Sequence, residues 1–471
     1  MNIREIREEL DTSKSTVKDV FLYSVNRAKK YQDEYNSFVT ILDDYEEIKS
    51  DSILSGIPYA LKDNVSTKGI LTTASSKILA NYVPVYDATI YEKLKNAGAT
   101  LVGKTVMDEL AMGGTGMTGH TGIVHNPYDK DRMTGGSSAG SAACVKLGIV
   151  PFAIGSDTGD SVRKPASYTG TVGFKPTYGR ISRYGLFPYA SSLDTVGVIA
   201  NNVYDVAAVM DVIKGRDHRD MTSLPDEDIN YVDNLDNDIT GKKLFYIKEI
   251  VDRSNYGKET NEILDKFDKT IEKCKELGME VYEESIPMEL LELIYPAYMS
   301  ISNAEATSND ANLTGIHFGN TMPGKTAEEI ITNTRTNGFS SSIKRRFIIG
   351  SYILNKENQD KLYLNACRLR RMIVDKMNEL FKKYDALILP TTETVAPRID
   401  VKIEYKEERN MLLDRHLIIG NFGGYPSITI PCGICCIEKS AMPIGLSITG
   451  NIYNDSLVLN IANKIQEGWF E

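Results

Sequence analysis

The amino-acid sequence predicts an α/β fold with a largely internal sheet, and two observations carry the prediction. Apolar residues at helical spacing run directly into short apolar strands in three places, residues 90–102, 263–283 and 364–389. Glycine ends two of these helical patterns, at Gly98 and at Gly278, where the chain turns into its strand. Helices that alternate with short strands are typical of a sheet enclosed by helices.

The remaining elements follow in chain order. Thr16 opens a helix, because Asp19 completes a capping box three residues later and apolar residues follow at helical spacing. The sequence SFVTIL at residues 37–42 predicts a strand. Residues 215–240 are rich in Asp and Asn and lack periodicity, which indicates a surface excursion. Residues 288–385 are mostly helical in pattern and favour a cap over one side of the sheet.

Charge and composition exclude several classes of function. The formal net charge of −10 gives no basic footprint for nucleic acid. No apolar run approaches the roughly 20 residues of a membrane span, and the charged N-terminal segment is unlike a signal peptide. The six cysteines are scattered, so we expect a cytoplasmic protein without a disulfide scaffold. Cys432 and Cys435 form a C-x-x-C pair that lacks the further ligands of a zinc site.

A glycine-rich stretch at 113–140 leads into a helix whose N-terminus would carry Ser137 and Ser138. A long structured loop in a compact domain is usually functional. Two phosphate-binding patterns lie nearby but lack their structural context. Residues 98–105 match GxxxxGK[ST], yet the strand lies between the two glycines, and residues 114–119 match GxGxxG without a preceding strand. We interpret both as structural.

Ser161 is the candidate nucleophile, because it follows an apolar strand and a glycine turn in GSDTGDSVRKPA (155–166). A serine needs a base, and this stretch supplies none. His120 and His125 in the glycine-rich stretch could serve, but no orienting carboxylate follows them at a strand end. The alternative is Lys62 in the apolar, strand-like stretch GIPYALKDN (56–64), since burial lowers the pKa of a lysine and leaves a neutral amine.

The segments GIPYALKDN, MTGGSSAGSAACV and GSDTGDSVRKPA, in this order, resemble the amidase signature family. The spacings from Lys62 to Ser137 and from Ser137 to Ser161 fit the Ser–cis-Ser–Lys triad of that family. The similarity continues through GFKPTYGRISRYGLFPYASSLDTVG (173–197) and is greatest to the A subunits of glutamyl-tRNA(Gln) amidotransferases. It implies one domain over residues 1–471, with a mixed central sheet covered by helices on both faces.

The resemblance implies a role for each matching residue. Ser161 would attack the side-chain carboxamide of glutamine, Ser137 would follow a cis peptide bond and relay the proton, and Lys62 would be the base. The oxyanion hole would be formed by backbone N–H groups of the turn before the nucleophile, those of Thr158, Gly159 and Asp160.

The resemblance also implies a glutamine-binding set that carries charges opposite to those of the substrate. Its members would be Tyr298, Arg346 and Asp414, with Arg345 as the alternative to Arg346. The basic run at 344–346 is also compatible with a solvated helix face. Asp157 and Arg163 flank the turn, where we expect them to make structural hydrogen bonds.

The family places such a chain in a heterotrimeric amidotransferase. It would pass ammonia to a B subunit that uses ATP and magnesium to amidate Glu-tRNA(Gln), and also Asp-tRNA(Asn) in some cases, while a C subunit wraps the pair. Charged tRNA would bind mainly through the B subunit, in agreement with the acidic charge of this chain, which itself would need no cofactor. Three other functions stay open: a stand-alone amidase acting on another small amide, a non-catalytic complex component, and a nucleotide-binding protein.

The chain departs from the family at Asp160, where glycine usually precedes the nucleophile. Aspartate tolerates unusual backbone conformations better than most residues. A carboxylate beside a developing oxyanion slows the reaction unless it points away or is paired. We therefore expect Asp160 to turn outward and to contact Lys164 or a neighbour.

Overall fold

A mixed sheet of eleven strands lies at the centre of the computed structural model, which describes residues 1–400, 412–437 and 440–468. The strands are β1 Phe38–Ile41, β2 Pro58–Lys62, β3 Thr100–Thr105, β4 Phe152–Asp157, β5 Val172–Lys175, β6 Thr195–Ala200, β7 Lys243–Ile247, β8 Glu280–Glu284, β9 Ala386–Pro390, β10 Ser427–Ile437 and β11 Ser440–Gly450. Their order across the sheet is β1-β3-β2-β4-β6-β5-β10-β11-β9-β7-β8. β2 runs parallel to β3 and β4, β7 runs parallel to β8 and β9, and antiparallel pairs join these two groups.

The α-helices are distributed along the whole chain. They are α1 Ile3–Asp11, α2 Val17–Tyr35, α3 Thr89–Asn96, α4 Ala139–Lys146, α5 Arg163–Thr169, α6 Val203–Ile213, α7 Lys258–Glu276, α8 Met288–Glu292, α9 Ile294–Asn309, α10 Ala327–Gly338, α11 Ser341–Leu354, α12 Asn365–Phe381, α13 Leu412–Arg415, α14 Ile418–Phe422 and α15 Asp455–Glu467. Residues 214–242 form neither helix nor strand, in agreement with the predicted surface excursion.

An apolar core lies on each face of the sheet, because successive side chains of a strand point to opposite faces. In β2, Tyr59 and Leu61 belong to a core that contains residues of α6 and α15. Ala60 lies between them and belongs to a second core, which contains residues of α2 and α4. Helices therefore cover both faces, as expected.

The predicted elements are present, with shifts of a few residues at their ends. Thr16 caps α2, and its capping box with Asp19 is complete. The three helix–strand units are α3 with β3, α7 with β8, and α12 with β9. β3 continues beyond the predicted strand to Thr105, because Gly103 and Lys104 extend the pairing with β2.

Lys104, in the GxxxxGK[ST] pattern, is part of this strand and completely buried. Its Nζ donates to Val65 O and Thr72 Oγ1, both at 2.7 Å, and lies 3.7 Å from Asp63 Oδ1. Burial lowers the pKa of Lys104 to about 8, although Asp63 opposes the shift. The ammonium that would have to reach a phosphate is thus enclosed by the protein, which supports the structural interpretation of the pattern.

Candidate active site

Lys62, the candidate base, is the last residue of β2 and is completely buried. Since β2 and β4 are parallel neighbours, the end of β2 lies beside Ser156 near the end of β4. Lys62 Nζ donates to Ser137 Oγ at 2.8 Å and to Ser138 Oγ and Ser156 Oγ at 2.9 Å. Burial lowers the pKa of Lys62 to about 7, and neighbouring carboxylates, Asp108 first, oppose the shift. The lysine is therefore enclosed by neutral oxygen atoms and titrates near neutrality.

Ser137 lies between Lys62 and the segment that carries Ser161. The peptide bond Gly136–Ser137 is cis, as the family resemblance implies. Ser138 N donates to Ser161 O at 3.1 Å, which ties the two serine segments together through the backbone. Ser161 is 4% exposed at the turn between β4 and α5. The structure thus brings Lys62, Ser137 and the segment of Ser161 to one place.

The hydroxyl of Ser138 has a partner that the sequence did not predict. Ser138 stands directly before α4, as expected, but its side chain makes no capping hydrogen bond to that helix. The hydroxyl instead accepts from Lys62 Nζ and donates to Ser156 O at 3.1 Å. The lysine is a stronger donor than the helix N–H groups, because its hydrogen bonds are charge-assisted when it is protonated. Sequence reasoning identified neither Ser138 nor Ser156 as a partner of Lys62.

Asp108 organises the glycine-rich stretch. Its carboxylate accepts hydrogen bonds at 2.9–3.1 Å from the backbone N–H groups of residues 115–118. A Cβ on Gly136 would lie only 1.9 Å from Asp108 Oδ2, so glycine is required directly before Ser137. The N–H groups of the GxGxxG pattern therefore bind a carboxylate of the chain itself, which supports its structural interpretation.

Asp157 and Arg163 hold the turn before Ser161, as expected. Arg163 is completely buried and donates from Nε and Nη2 to the Asp157 carboxylate at 3.0 and 2.9 Å. Arg163 Nη2 also donates to Gly159 O at 2.8 Å, which fixes the turn itself. Burial alone would raise the pKa of Asp157, but the guanidinium lowers it to about 2. Asp157 is therefore ionised at neutral pH beside the guanidinium.

Thr158, Gly159 and Asp160, the residues predicted to form the oxyanion hole, lie in the turn between β4 and α5. Thr158 is held by its hydroxyl, which donates to Asp194 Oδ1 at 2.6 Å. No residue of the described segments accepts a hydrogen bond from the backbone N–H of Gly159, Asp160 or Ser161. These three amides remain available to a negatively charged oxygen.

Tyr298 on α9 packs against this turn. A Cβ on Gly159 would lie 3.0 Å from Cζ and Oη of Tyr298, so the ring touches the backbone of Gly159. Burial raises the pKa of Tyr298 well above its ordinary value, and the nearby Tyr189 and Asp160 contribute in the same direction. The phenol therefore stays protonated beside the turn.

Arg346 and Arg345 lie next to each other on α11 but differ in surroundings. Arg346 is half-buried and donates from Nη1 to Tyr189 Oη at 2.8 Å and to Asn303 Oδ1 at 3.2 Å. Arg345 is exposed. Tyr189, which accepts from Arg346, also lies near Tyr298, and Tyr298 packs against the turn. Arg346 therefore lies on the same side of the site as the turn. This geometry favours Arg346 over Arg345 as a ligand of the substrate.

The carboxylate of Asp160 is paired, as expected from the sequence. Lys164 Nζ lies 2.6 Å from Asp160 Oδ2 and 3.6 Å from Asp414 Oδ2. Asp414 is also held by its other oxygen, which accepts from Glu393 N at 3.0 Å. Burial raises the pKa of Asp160, and Lys164 opposes that shift. Lys164 was expected as a partner of Asp160, whereas its approach to Asp414 was not anticipated.

His120 and His125, the two histidines considered as bases, and the buried His416 have other surroundings. His120 is exposed, and His125 Nδ1 lies 2.8 Å from Lys130 O. His416 is buried with Nε2 2.8 Å from Pro390 O, and burial lowers its pKa to about 4. The side chain that forms a hydrogen bond with Ser137 Oγ is thus Lys62 and not one of these histidines.

Metal ligands do not cluster in the part of the chain that the structure describes. Within residues 1–400, 412–437 and 440–468, no three side chains of His, Cys, Asp or Glu are grouped to hold a metal ion. None of the helices in these same segments is long and apolar enough to cross a membrane.

Comparison with known proteins gives consistent matches over nearly the whole chain. Residues 19–459 match the Amidase family. The chain is 38% identical to the A subunit of glutamyl-tRNA(Gln) amidotransferase of Halothermothrix orenii, over 99% of this chain and 97% of that protein. The Methanosarcina mazei protein of the same name is 38% identical, over 99% and 96% of the two chains.

Solved structures give the same picture. The crystal structure of the glutamyl-tRNA(Gln) amidotransferase A subunit from Thermotoga maritima superposes with a TM-score of 0.81 at 32% identity, over 99% of this chain and 94% of that one. A chain from a vestigial complex, described as revealing the evolutionary origins of an s-triazine catabolic enzyme, superposes with a TM-score of 0.83 at 30% identity, over 99% and 98%.

Proposed function

This chain belongs to the amidase family, and from that membership we propose that it is the glutamine-hydrolysing subunit of a glutamyl-tRNA(Gln) amidotransferase. It releases ammonia from glutamine for the conversion of Glu-tRNA(Gln) to Gln-tRNA(Gln). The observation that carries the proposal is the buried Lys62, whose Nζ lies 2.8 Å from Ser137 Oγ. With a pKa of about 7, a large fraction of this lysine is neutral at neutral pH and can accept a proton.

The reaction proceeds through a covalent ester. Ser161 Oγ attacks the carboxamide carbon of glutamine while its proton passes through the Ser137 hydroxyl to neutral Lys62. A C–O bond forms, and the backbone N–H groups of the turn stabilise the negative charge that develops on the carbonyl oxygen. The C–N bond then breaks, the proton returns along the same path to the leaving nitrogen, and ammonia departs. Water finally hydrolyses the glutamyl ester.

Charged side chains at the other end of the site recognise the glutamine backbone. Arg346 binds the α-carboxylate, and Asp414 binds the α-ammonium group. Tyr298 forms the wall between them and the turn, since its ring touches Gly159. Glutamine is thereby held with its side-chain amide directed at Ser161.

The chain acts within a complex. It delivers ammonia to a B subunit, and a C subunit completes the heterotrimer. ATP and magnesium are used by the B subunit, which also provides most of the contacts to charged tRNA in the cytoplasm. The net charge of −10 supports this division, because phosphate binding requires basic surfaces. The relatives named as A subunits, which match over nearly their full length, support it as well.

One observation favours a second candidate, an amidase that acts on a different small amide. Lys164 Nζ already lies 3.6 Å from Asp414 Oδ2, where the α-ammonium group of glutamine would bind. A substrate without that group would leave this contact undisturbed.

Ammonia release from glutamine tests the proposal. We expect the full-length chain, combined with its B and C subunits, to release ammonia faster when Glu-tRNA(Gln) is present. Ser161→Ala in the same complex should abolish the release. Hydrolysis of neutral amides in preference to glutamine, without any response to the tRNA, would instead establish the second candidate.

A further inference from the structure

The turn before Ser161 contains a carboxylate in an unfavourable place. Asp160 directly precedes the nucleophile, and its own backbone N–H is one of the three amides without an acceptor in the described segments. A negative charge this close to a developing oxyanion opposes the reaction by Coulomb repulsion. The side chain is only 22% exposed, so solvent screens it incompletely. Its charge must be balanced by the protein.

Lys164 is placed to supply that balance. It lies on α5, one helical turn after Asp160, and its N–H also donates to Asp160 O at 2.8 Å. The ammonium group lies 2.6 Å from Asp160 Oδ2 and 3.6 Å from Asp414 Oδ2. The side chains of Lys164 and Asp414 are 14% and 13% exposed. One lysine therefore joins the turn to Asp414. Asp414 belongs to the recognition end, the part of the site that carries Arg346 and Asp414.

We propose that Lys164 is a positioning residue that makes Asp160 compatible with the reaction at Ser161. The lysine holds the Asp160 carboxylate against α5 and neutralises it beside the oxyanion turn. Through Asp414 it also sets the charge of the recognition end. The proposal rests on the proposed function only for the identity of the substrate, because the charge balance applies to any acyl transfer at Ser161.

The same cluster has a consequence for specificity. Two carboxylates and one ammonium group leave one net negative charge at this end of the site. The α-ammonium group of an amino acid amide restores neutrality, whereas a neutral amide does not. The two carboxylates, and not Lys164 itself, therefore favour amide substrates that carry an α-ammonium group.

Four variants of the full-length chain in its complex test the proposal. Lys164→Met leaves Asp160 unbalanced, so kcat for glutamine should fall about 100-fold, the scale of a lost oxyanion donor. Lys164→Arg keeps the charge and should stay within about fivefold of the wild type. Asp160→Asn combined with Lys164→Met removes both charges and should regain at least about tenfold over Lys164→Met. Lys214→Met is the matched control, since Lys214 forms a similarly exposed pair with Asp211 and should leave kcat unchanged.

The rate at which a fluorophosphonate modifies Ser161 gives a readout that does not depend on glutamine. Ser161 Oγ forms a bond to phosphorus as fluoride leaves, and the amplitude of labelling counts the folded sites separately from the rate. The same order of variants is expected. Equal rates for Lys164→Met and the wild type, or a double variant no faster than Lys164→Met, would overturn the proposal. If the order holds but the wild type releases no ammonia from glutamine, the role of Lys164 stands and the proposed function falls.

Discussion

The two ends of the candidate site treat a lysine in opposite ways. At the reaction end, Lys62 donates only to hydroxyl and carbonyl oxygens, and burial lowers its pKa to about 7. At the recognition end, Lys164 contacts the carboxylates of Asp160 and Asp414, which raise its pKa well above the ordinary value although burial opposes them. The partners, more than the depth of burial, decide whether a lysine is a base or a permanent cation.

Lys104 provides an internal reference for this comparison. It lies on β3, the strand next to that of Lys62, and is equally buried. Its ammonium group forms an ion pair with Asp63 Oδ1 at 3.7 Å, and its pKa is lowered only to about 8. Substituting the two lysines in parallel therefore separates the chemistry from the fold.

The largest expected effect is on the reaction end. Lys62→Met should lower kcat for glutamine about 10³-fold, the loss typical of a missing general base, while the melting temperature changes little. Lys104→Met should instead change kcat little and lower the melting temperature. It leaves Asp63 buried without its cation, which costs about 3–5 kcal/mol of stability. Steady-state kinetics and thermal unfolding measure the two effects. Activity retained by Lys62→Met would break the comparison.

Substitutions at the recognition end are expected to change mainly KM for glutamine. Arg346→Ala should raise KM for glutamine about 100-fold with a smaller change in kcat, since a charge-assisted contact to the α-carboxylate is lost. Arg345→Ala, on the exposed neighbour, should leave KM within about twofold. Equal effects of the two substitutions, measured under the same conditions, would show that α11 offers only a general positive surface.

The pH dependence of kcat/KM tests the role of Lys62 in this comparison. The neutral amine is the active form, so kcat/KM should rise about tenfold per pH unit below pH 7 and level off above it. Lys164 stays charged throughout this range because its pKa is raised, so its own titration should not contribute to the rise. A rate independent of pH between about pH 5 and pH 8 would contradict the assignment of Lys62.

The smallest effect is expected at Tyr298. Tyr298→Phe keeps the ring against Gly159 and removes only the hydroxyl, so KM should rise by no more than about fivefold, the value of one neutral hydrogen bond. Tyr298→Ala removes the wall itself and should have a larger effect on both kinetic constants. The difference between the two variants measures how much of the role of Tyr298 is shape.

The sequence was most informative where function depends on local pattern. The strand that carries Lys62, the turn before Ser161 and the helix that starts after Ser138 were all predicted, because each has a glycine or capping signal beside an apolar run. The pairing of Asp160 with Lys164 was also expected, since residues four apart on a helix turn are neighbours.

Contacts that depend on the folded chain could not be predicted from local sequence patterns. Ser156 became a partner of Lys62 only because β2 and β4 are adjacent, and strand order is not encoded in either segment alone. Asp108 lies only seven to ten residues before the amides that it binds, but no motif marks it as their acceptor. The approach of Lys164 to Asp414 joins residues 250 positions apart and required the folded chain.

The most direct test of the central claim is to trap the acyl group on the enzyme. The full-length chain in its complex is mixed with glutamine, quenched in acid and digested, and the peptides are analysed by mass spectrometry. We expect a glutamyl ester on Ser161 in the wild type, no ester in Ser161→Ala, and a strongly slowed appearance of the ester in Lys62→Met. Ammonia release by Ser161→Ala, or a glutamyl group on a different residue, would contradict the account.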